Sequence, residues 1–180
     1  MTTEKLLQMV LDCGATKATV LEQSDIVLSA EFRASCEMNS CGVFGRCWMC
    51  PPDVGPIDEL MDRVRSFPRG IWYQTVGEIE DSFDFEGMTE VSNSHAKLSQ
   101  RILKNTPKDI RTLHLTCGGC RVCAKCAKID NEPCRFPDRA LASVESYGVD
   151  VYNTTKGTDL KYINGANTVT YFGLLLFEEE

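Results

Sequence analysis

Cysteine is the residue whose number and spacing say most about this chain. Ten occur in 180 residues, and nine fall into two tight groups. One group is Cys36, Cys41, Cys47 and Cys50, in CEMNSCGVFGRCWMCPP. The other is Cys117, Cys120, Cys123, Cys126 and Cys134, in CGGCRVCAKCAKIDNEPCRFP. Thiolates recurring every third residue return to the same point in space, so they can surround an inorganic core. A C-x2-C-x2-C run with a more distant fourth cysteine beside a proline is the bacterial ferredoxin manner of holding a [4Fe–4S] cluster. Cys120, Cys123, Cys126 and Cys134 fit that pattern. Gly118 and Gly119 let the backbone approach the core, and Pro133 and Pro137 stiffen the entry and exit of the last ligand. Cys117 is then spare: a ligand to a second cluster, a replacement ligand or a free thiol.

Zinc is the alternative occupant, since it also takes four thiolates. Its sites are usually built from two separated C-x2-C pairs, and four cysteines in consecutive steps of three overcrowd one tetrahedral ion. The spacing therefore favours iron–sulfur. Disulfides are the other alternative, disfavoured for a chain read as cytoplasmic. In the first group, intervals of x4, x5 and x2 differ from the plant ferredoxin spacing. Four thiols in one glycine-bearing loop closed by Pro51 and Pro52 still predict a second metal site at Cys36, Cys41, Cys47 and Cys50, of open cluster type. Trp48 shields it or simply packs. Arg33 and Arg46 bring positive charge to the first group. Arg121, Lys125, Lys128, Arg135 and Arg139 do so in the second, where they raise a cluster's potential, dock an acidic redox partner or stay merely solvated.

Composition sets outer bounds. The content of 43% hydrophobic and 25% charged residues is ordinary globular composition, and the length suits a single domain over residues 1–180. The net charge of −7 argues against nucleic-acid or anionic-membrane partners, which need a basic face. The N-terminus has no secretion-signal pattern, and no apolar run approaches the ~20 residues needed to span a bilayer. A cytoplasmic location is expected. No G-x-G-x-x-G turn marks a nucleotide fold, although a flavin needs no such motif.

The elements that must position the cysteines are legible in part. Leu6, Val10 and Cys13 at helical spacing before Gly14 predict a helix over 4–13, with Cys13 as a small core residue rather than a ligand. Residues 17–22 and 25–33 read as a hairpin. A helix over 57–67 buries Ile57, Leu60, Met61, Val64 and Phe67, with Pro56 at its first position, and a strand follows over 71–77. The acidic stretch 80–87 reads as a linker. A helix over 88–105 places His95 on its apolar stripe, as a satisfied core or boundary histidine. A strand is expected over 111–116, a helix over 138–147, and strands over 149–153 and 168–177. The order predicts an α+β (or α/β) fold: a mixed sheet, flanking helices and both cysteine loops on one side.

Taken together, GVFGRCWMCPP, GGCRVCAKCAKIDNEPCRFP and SVESYGVDVY resemble the predicted metal-binding family known as domain of unknown function 2284, from about Arg33 to the C-terminus, including VTYFGLLLF. The resemblance implies metal binding, with iron–sulfur chemistry, in bacteria and archaea that live largely without oxygen; it assigns no reaction. By resemblance, Cys36, Cys41 and Cys50, and Cys120, Cys123, Cys126 and Cys134, match family cysteines, whereas Cys47 and Cys117 stand at positions that are not fixed as cysteine. A first cluster with three cysteines keeps an open iron for substrate; Cys47 as fourth ligand makes it a plain electron carrier. Ser143, Glu145, Gly148 and Asp150 also match: Glu145 and Asp150 offer acid–base groups, but the string reads better as Ser143 and Glu145 ordering a helix beside the cluster that stops at Gly148.

The leading expectation is an iron–sulfur protein with two cluster sites that exchanges electrons with a soluble partner. The alternatives are an iron–sulfur enzyme acting on a small substrate, by sulfur transfer or reductive heteroatom removal, and a zinc-stabilised binding module.

Overall fold

The computed structural model describes residues 1–179 as an α+β protein. Helix α1 (Thr3–Asp12) leads into strand β1 (Lys17–Glu22). Helices α2 (Phe32–Glu37) and α3 (Ile57–Arg65) flank the first cysteine loop. Strand β2 (Arg69–Glu78), helix α4 (Phe85–Asn105) and strand β3 (Thr112–Thr116) follow. The second cysteine loop leads to the short strand β4 (Ala142–Ser143), then to helix α5 (Val151–Lys156) and strand β5 (Thr168–Phe177). The sheet order is β1-β2-β5-β3-β4, with only β3 and β4 parallel.

Both faces of the sheet are covered, so its central strands read as apolar runs rather than as alternating patterns. On one face α1 and α4 set Leu6, Val10, Leu98 and Ile102 against Ile71, Tyr73, Leu175 and Phe177. On the other, Leu60 and Val64 of α3 pack with Trp72, Leu174, Leu176, Val144 and Val149. Trp72 Nε1 donates to Thr155 Oγ1 at 3.1 Å, which satisfies the buried indole and fixes α5 on the sheet.

Three expected elements are corrected. Residues 25–33 are not the second strand of a hairpin. A 3₁₀ turn at Gln23–Asp25, in which the Asp25 carboxylate accepts from the Glu22 amide at 3.0 Å, leads the chain out of the sheet. The partner of β1 is instead β2, while Leu28 bridges to Val149 and Phe32 begins α2. Residues 138–147 do not form an α-helix. The free edge of β3 takes Ala142 and Ser143 as a parallel strand, and the Val144 amide donates to the Thr116 carbonyl at 2.9 Å. Residues 149–153 are not a strand, because Asp150 caps α5 by accepting from the Asn153 amide at 2.9 Å. Two bounds shift. Helix α4 begins at Phe85, inside the acidic stretch, where Asp84 caps it, and Pro56 stands before the first helical residue of α3 rather than at it.

Cys13 closes α1, half-buried against the α1–α4 core, and Gly14 beyond it takes φ +106°. Its sulfur lies 3.8 Å from Met9 Sδ. A Cys13→Ala variant is expected to lose at most about 1–2 kcal/mol in urea unfolding and to keep its full metal content. Loss of metal would make Cys13 a ligand.

One glycine organises the buried polar centre. Gly173 on β5 pairs with Tyr73 on β2, and a β-carbon there would collide with the tyrosine ring. The ring therefore lies across β5 and brings its hydroxyl within 2.8 Å of His114 Nε2 on β3 and of Ser99 Oγ on α4. Gly173→Ala is expected to cost about 1–3 kcal/mol in urea denaturation by overpacking, plus the displaced hydrogen bonds. An unchanged midpoint would contradict this packing.

Candidate metal centre

Both cysteine groups lie in irregular chain held at its ends by regular elements. Cys36 sits in the last turn of α2, and the loop after it reaches α3 through Pro51, Pro52 and Pro56. Its turns are closed by main-chain bonds such as Gly45 N to Pro51 O at 2.9 Å and Cys50 N to Cys47 O at 3.0 Å. Gly42 and Gly45 take φ +73° and +69°, the conformations glycine adopts at least cost. The second group begins where β3 ends: Cys117 follows Thr116 directly, and the loop returns to the sheet edge as β4. A parallel connection of this kind is usually made by a helix. Here it contains only a 3₁₀ turn at Ala127–Asp130, and the cysteines take the remaining chain.

The two loops are clasped together. Trp48 Nε1 donates to the Glu132 carbonyl at 2.9 Å, and Lys128 Nζ lies 4.4 Å from the centre of the Trp48 ring. Lys128 also pairs with Asp53 at 2.6 Å, with both side chains largely buried. Gly119 lies against the opposite loop: a β-carbon there would stand in ordinary contact, 3.4 Å from Cys50 Sγ.

Cys47 is the hinge of this arrangement. It is buried, and together with Cys120, Cys123, Cys126 and Cys134 it lines one small cavity that Trp48, Met49, Phe136 and Ala140 help to close. Hydrogen bonds from the Cys50 thiol, the amides of Met49 and Cys120 and the Cys126 thiol converge on its sulfur, and they hold its pKa down to about 6 against the effect of burial. Its donor Cys50 is correspondingly held in the thiol form, by that bond and by burial, with the charges of Cys47, Cys41 and Cys36 adding to the effect. Cys36 is half-buried and Cys41 exposed, and neither lines the cavity of the second group. Burial pushes the thiols of Cys36 and Cys120 up, and Arg33 partly offsets this at Cys36. All ten cysteines are free of disulfides. Among the described residues, no three Cys, His, Asp or Glu side chains are drawn together as a single-ion site.

The remaining candidates fall into place around this centre. Burial raises the pKa of Cys117 to about 12, with Glu145 adding to the shift and Arg121 opposing it. Burial raises the pKa of Glu145, and its charge raises those of Cys36 and Cys117. Ser143 Oγ accepts from the Ser146 amide at 3.1 Å, and Gly148 at φ +77° ends the 3₁₀ turn Glu145–Tyr147, so these residues order a short turn beside the site. Asp150 is a helix cap. Of the cations in the second loop, Lys125 pairs with Asp130 at 2.7 Å and Lys128 with Asp53, which leaves Arg121, Arg135 and Arg139 outside any ion pair among the described residues. His95 is a core histidine, its Nδ1 bonded to Thr75 Oγ1 at 2.8 Å. Burial lowers the imidazole pKa values to about 4 at His95 and about 3 at His114, so both rings are neutral at pH 7. The meeting of Cys47 with the second group was not readable in the sequence, because it depends on how two distant loops fold over each other.

The model of the family described as predicted metal-binding protein (DUF2284) matches residues 19–177, and so spans both cysteine groups and the sheet that carries them. The chain belongs to this family. A comparison with curated proteins found no match, and none was found among solved structures. The family description is of predicted metal binding and names no metal and no reaction. No helix among the described residues is long and apolar enough to cross a membrane.

Proposed function

We propose that this DUF2284 protein is an iron–sulfur electron carrier with two cluster sites, exchanging electrons with a soluble redox protein in the cytoplasm. The observation that carries the reading is the cavity lined by Cys47, Cys120, Cys123, Cys126 and Cys134. Its donor set is all sulfur, which suits a thiophilic centre, and the ligand spacing is that of a [4Fe–4S] ferredoxin loop. Cys120, Cys123, Cys126 and Cys134 would hold one cluster. Cys36, Cys41, Cys47 and Cys50 would hold a second, with Cys47 as its fourth ligand on the side facing the first. A cluster supplies one-electron chemistry at a potential set by charge, hydrogen bonds and solvent exposure.

The chain's own residues serve that chemistry. The Met49 and Cys120 amides donate to Cys47 Sγ and stabilise it as a thiolate ligand. Trp48 and Phe136 exclude water from the cavity wall. Because Cys47 belongs to one loop and lines the cavity of the other, it would link the two centres electronically. The exposed guanidinium groups of Arg121, Arg135 and Arg139 give an acidic redox partner a place to dock on an otherwise acidic protein.

Absorption spectroscopy tests the reading. Protein purified without oxygen is expected to be brown, with broad absorption near 400 nm (roughly, as thiolate-to-iron charge transfer gives) that bleaches on reduction with dithionite. A colourless protein carrying stoichiometric zinc would replace the carrier with a zinc-stabilised module.

A further inference from the structure

A second cavity meets the cysteine-lined space at Cys120, which lines both. It has a volume of about 520 Å³, in the range of small-molecule sites, and lies between α4 and the start of the second cysteine loop. Lys97 and Arg101 reach its edge from α4, and Arg121 and Arg139 reach it from the loop. No aspartate or glutamate lines it, although the chain has a net charge of −7. None of these four cations is in an ion pair among the described residues. Arg121 Nη1 donates to Asn93 Oδ1 at 2.9 Å, which fixes the guanidinium across the gap between loop and helix.

The floor is polar and already ordered. Ser99 Oγ and Thr116 Oγ1 stand 2.8 Å apart, and Ser99 Oγ is also 2.8 Å from the Tyr73 hydroxyl that meets His114. Both Ser99 and Thr116 are buried apart from the small surface they give the cavity. Val122 and Leu141 supply apolar wall. A cationic rim, a hydroxyl floor and an apolar wall suit a ligand with one anionic end and a small hydrocarbon body. The volume exceeds what an inorganic oxyanion fills.

We propose that the cavity between α4 and residues 117–122 is a binding site for a small organic carboxylate, held by Lys97 and Arg121 with its body against Val122 and Leu141. Cys120 and Cys117 form part of the wall, so the bound acid lies beside the metal centre. The binding assignment holds whether the cysteines carry iron–sulfur clusters or zinc, so its failure and that of the carrier reading are distinguishable.

Isothermal titration of the intact, anaerobically purified protein tests it, with butyrate and succinate as organic probes and inorganic phosphate and butyramide as comparisons. Saturable binding of at least one of the two acids is expected, tighter than phosphate, with none for the amide. A Lys97→Gln/Arg121→Gln variant changes only exposed side chains and should weaken that binding at least ten-fold. Ala96→Leu keeps every charge but narrows the cavity and should weaken it similarly. Lys17→Gln, on β1, should leave it unchanged. Phosphate binding as tightly as the acids, no saturable binding of either acid, or acid binding untouched by both cavity variants would overturn the proposal.

Discussion

Replacing Cys134 with alanine is expected to remove about half of the iron and half of the sulfide from the protein, together with one of two reduced-state electron paramagnetic resonance signals. Cys120, Cys123 and Cys126 come from one short run, so they approach a cluster from one side. Cys134 reaches the same cavity after the 3₁₀ turn Ala127–Asp130 has reversed the chain. That turn is anchored by Lys128 to Asp53 and, through the Glu132 carbonyl, to Trp48. The return of Cys134 is therefore built into the clasp between the loops and does not depend on the metal alone. Without this sulfur one corner of the core has no ligand from its own loop. Full iron content and an unchanged spectrum in Cys134→Ala would mean that Cys47 or Cys117 is the fourth ligand instead.

Cys47→Ala is expected to leave the second-loop cluster in place and to open one iron of the first. In the native chain a complete thiolate shell leaves no position for an added ligand, so the reduced protein titrated with cyanide should keep its paramagnetic resonance spectrum. In the variant the spectrum should shift on the first additions. The Met49 and Cys120 amides donate to the Cys47 sulfur, so its loss also leaves two amide donors without that acceptor. A fall of about 1–3 kcal/mol in unfolding free energy should accompany the spectroscopic change. A cyanide-dependent shift already in the native protein would contradict the carrier reading and favour an enzyme with an open iron.

The sequence revealed most where one residue type dictates one behaviour. Cysteine runs, the apolar runs of β2 and β5, and the helical stripe of α1 were all readable, because each depends on local spacing. The errors fall where long-range pairing decides. Residues 25–33 have strand-forming types, but β1 finds its partner in β2, and the Asp25 turn sends the chain elsewhere. Residues 142–143 become a strand only because β3 offers an open edge. Residues 149–153 read as a strand, but the Asp150 cap starts a helix there. The same limit applies to the site. The ligand candidates could be read as two separate loops, whereas the burial of Cys47 among the cysteines of the other loop and the packing of Gly119 against Cys50 exist only once the loops are folded together. Tyr73 likewise looks like an ordinary strand residue until Gly173, its direct partner on β5, clears a path for its ring across that strand.

The central claim is that the clasped loops hold two adjacent iron–sulfur clusters. Quantifying iron, acid-labile sulfide and zinc in protein kept free of oxygen, with paramagnetic resonance of the reduced sample, tests it most directly. About eight iron and eight sulfide per chain, negligible zinc and a spectrum broadened by coupling between neighbouring centres are the expected result for two [4Fe–4S] clusters. One or two zinc ions per chain with no sulfide would contradict the claim.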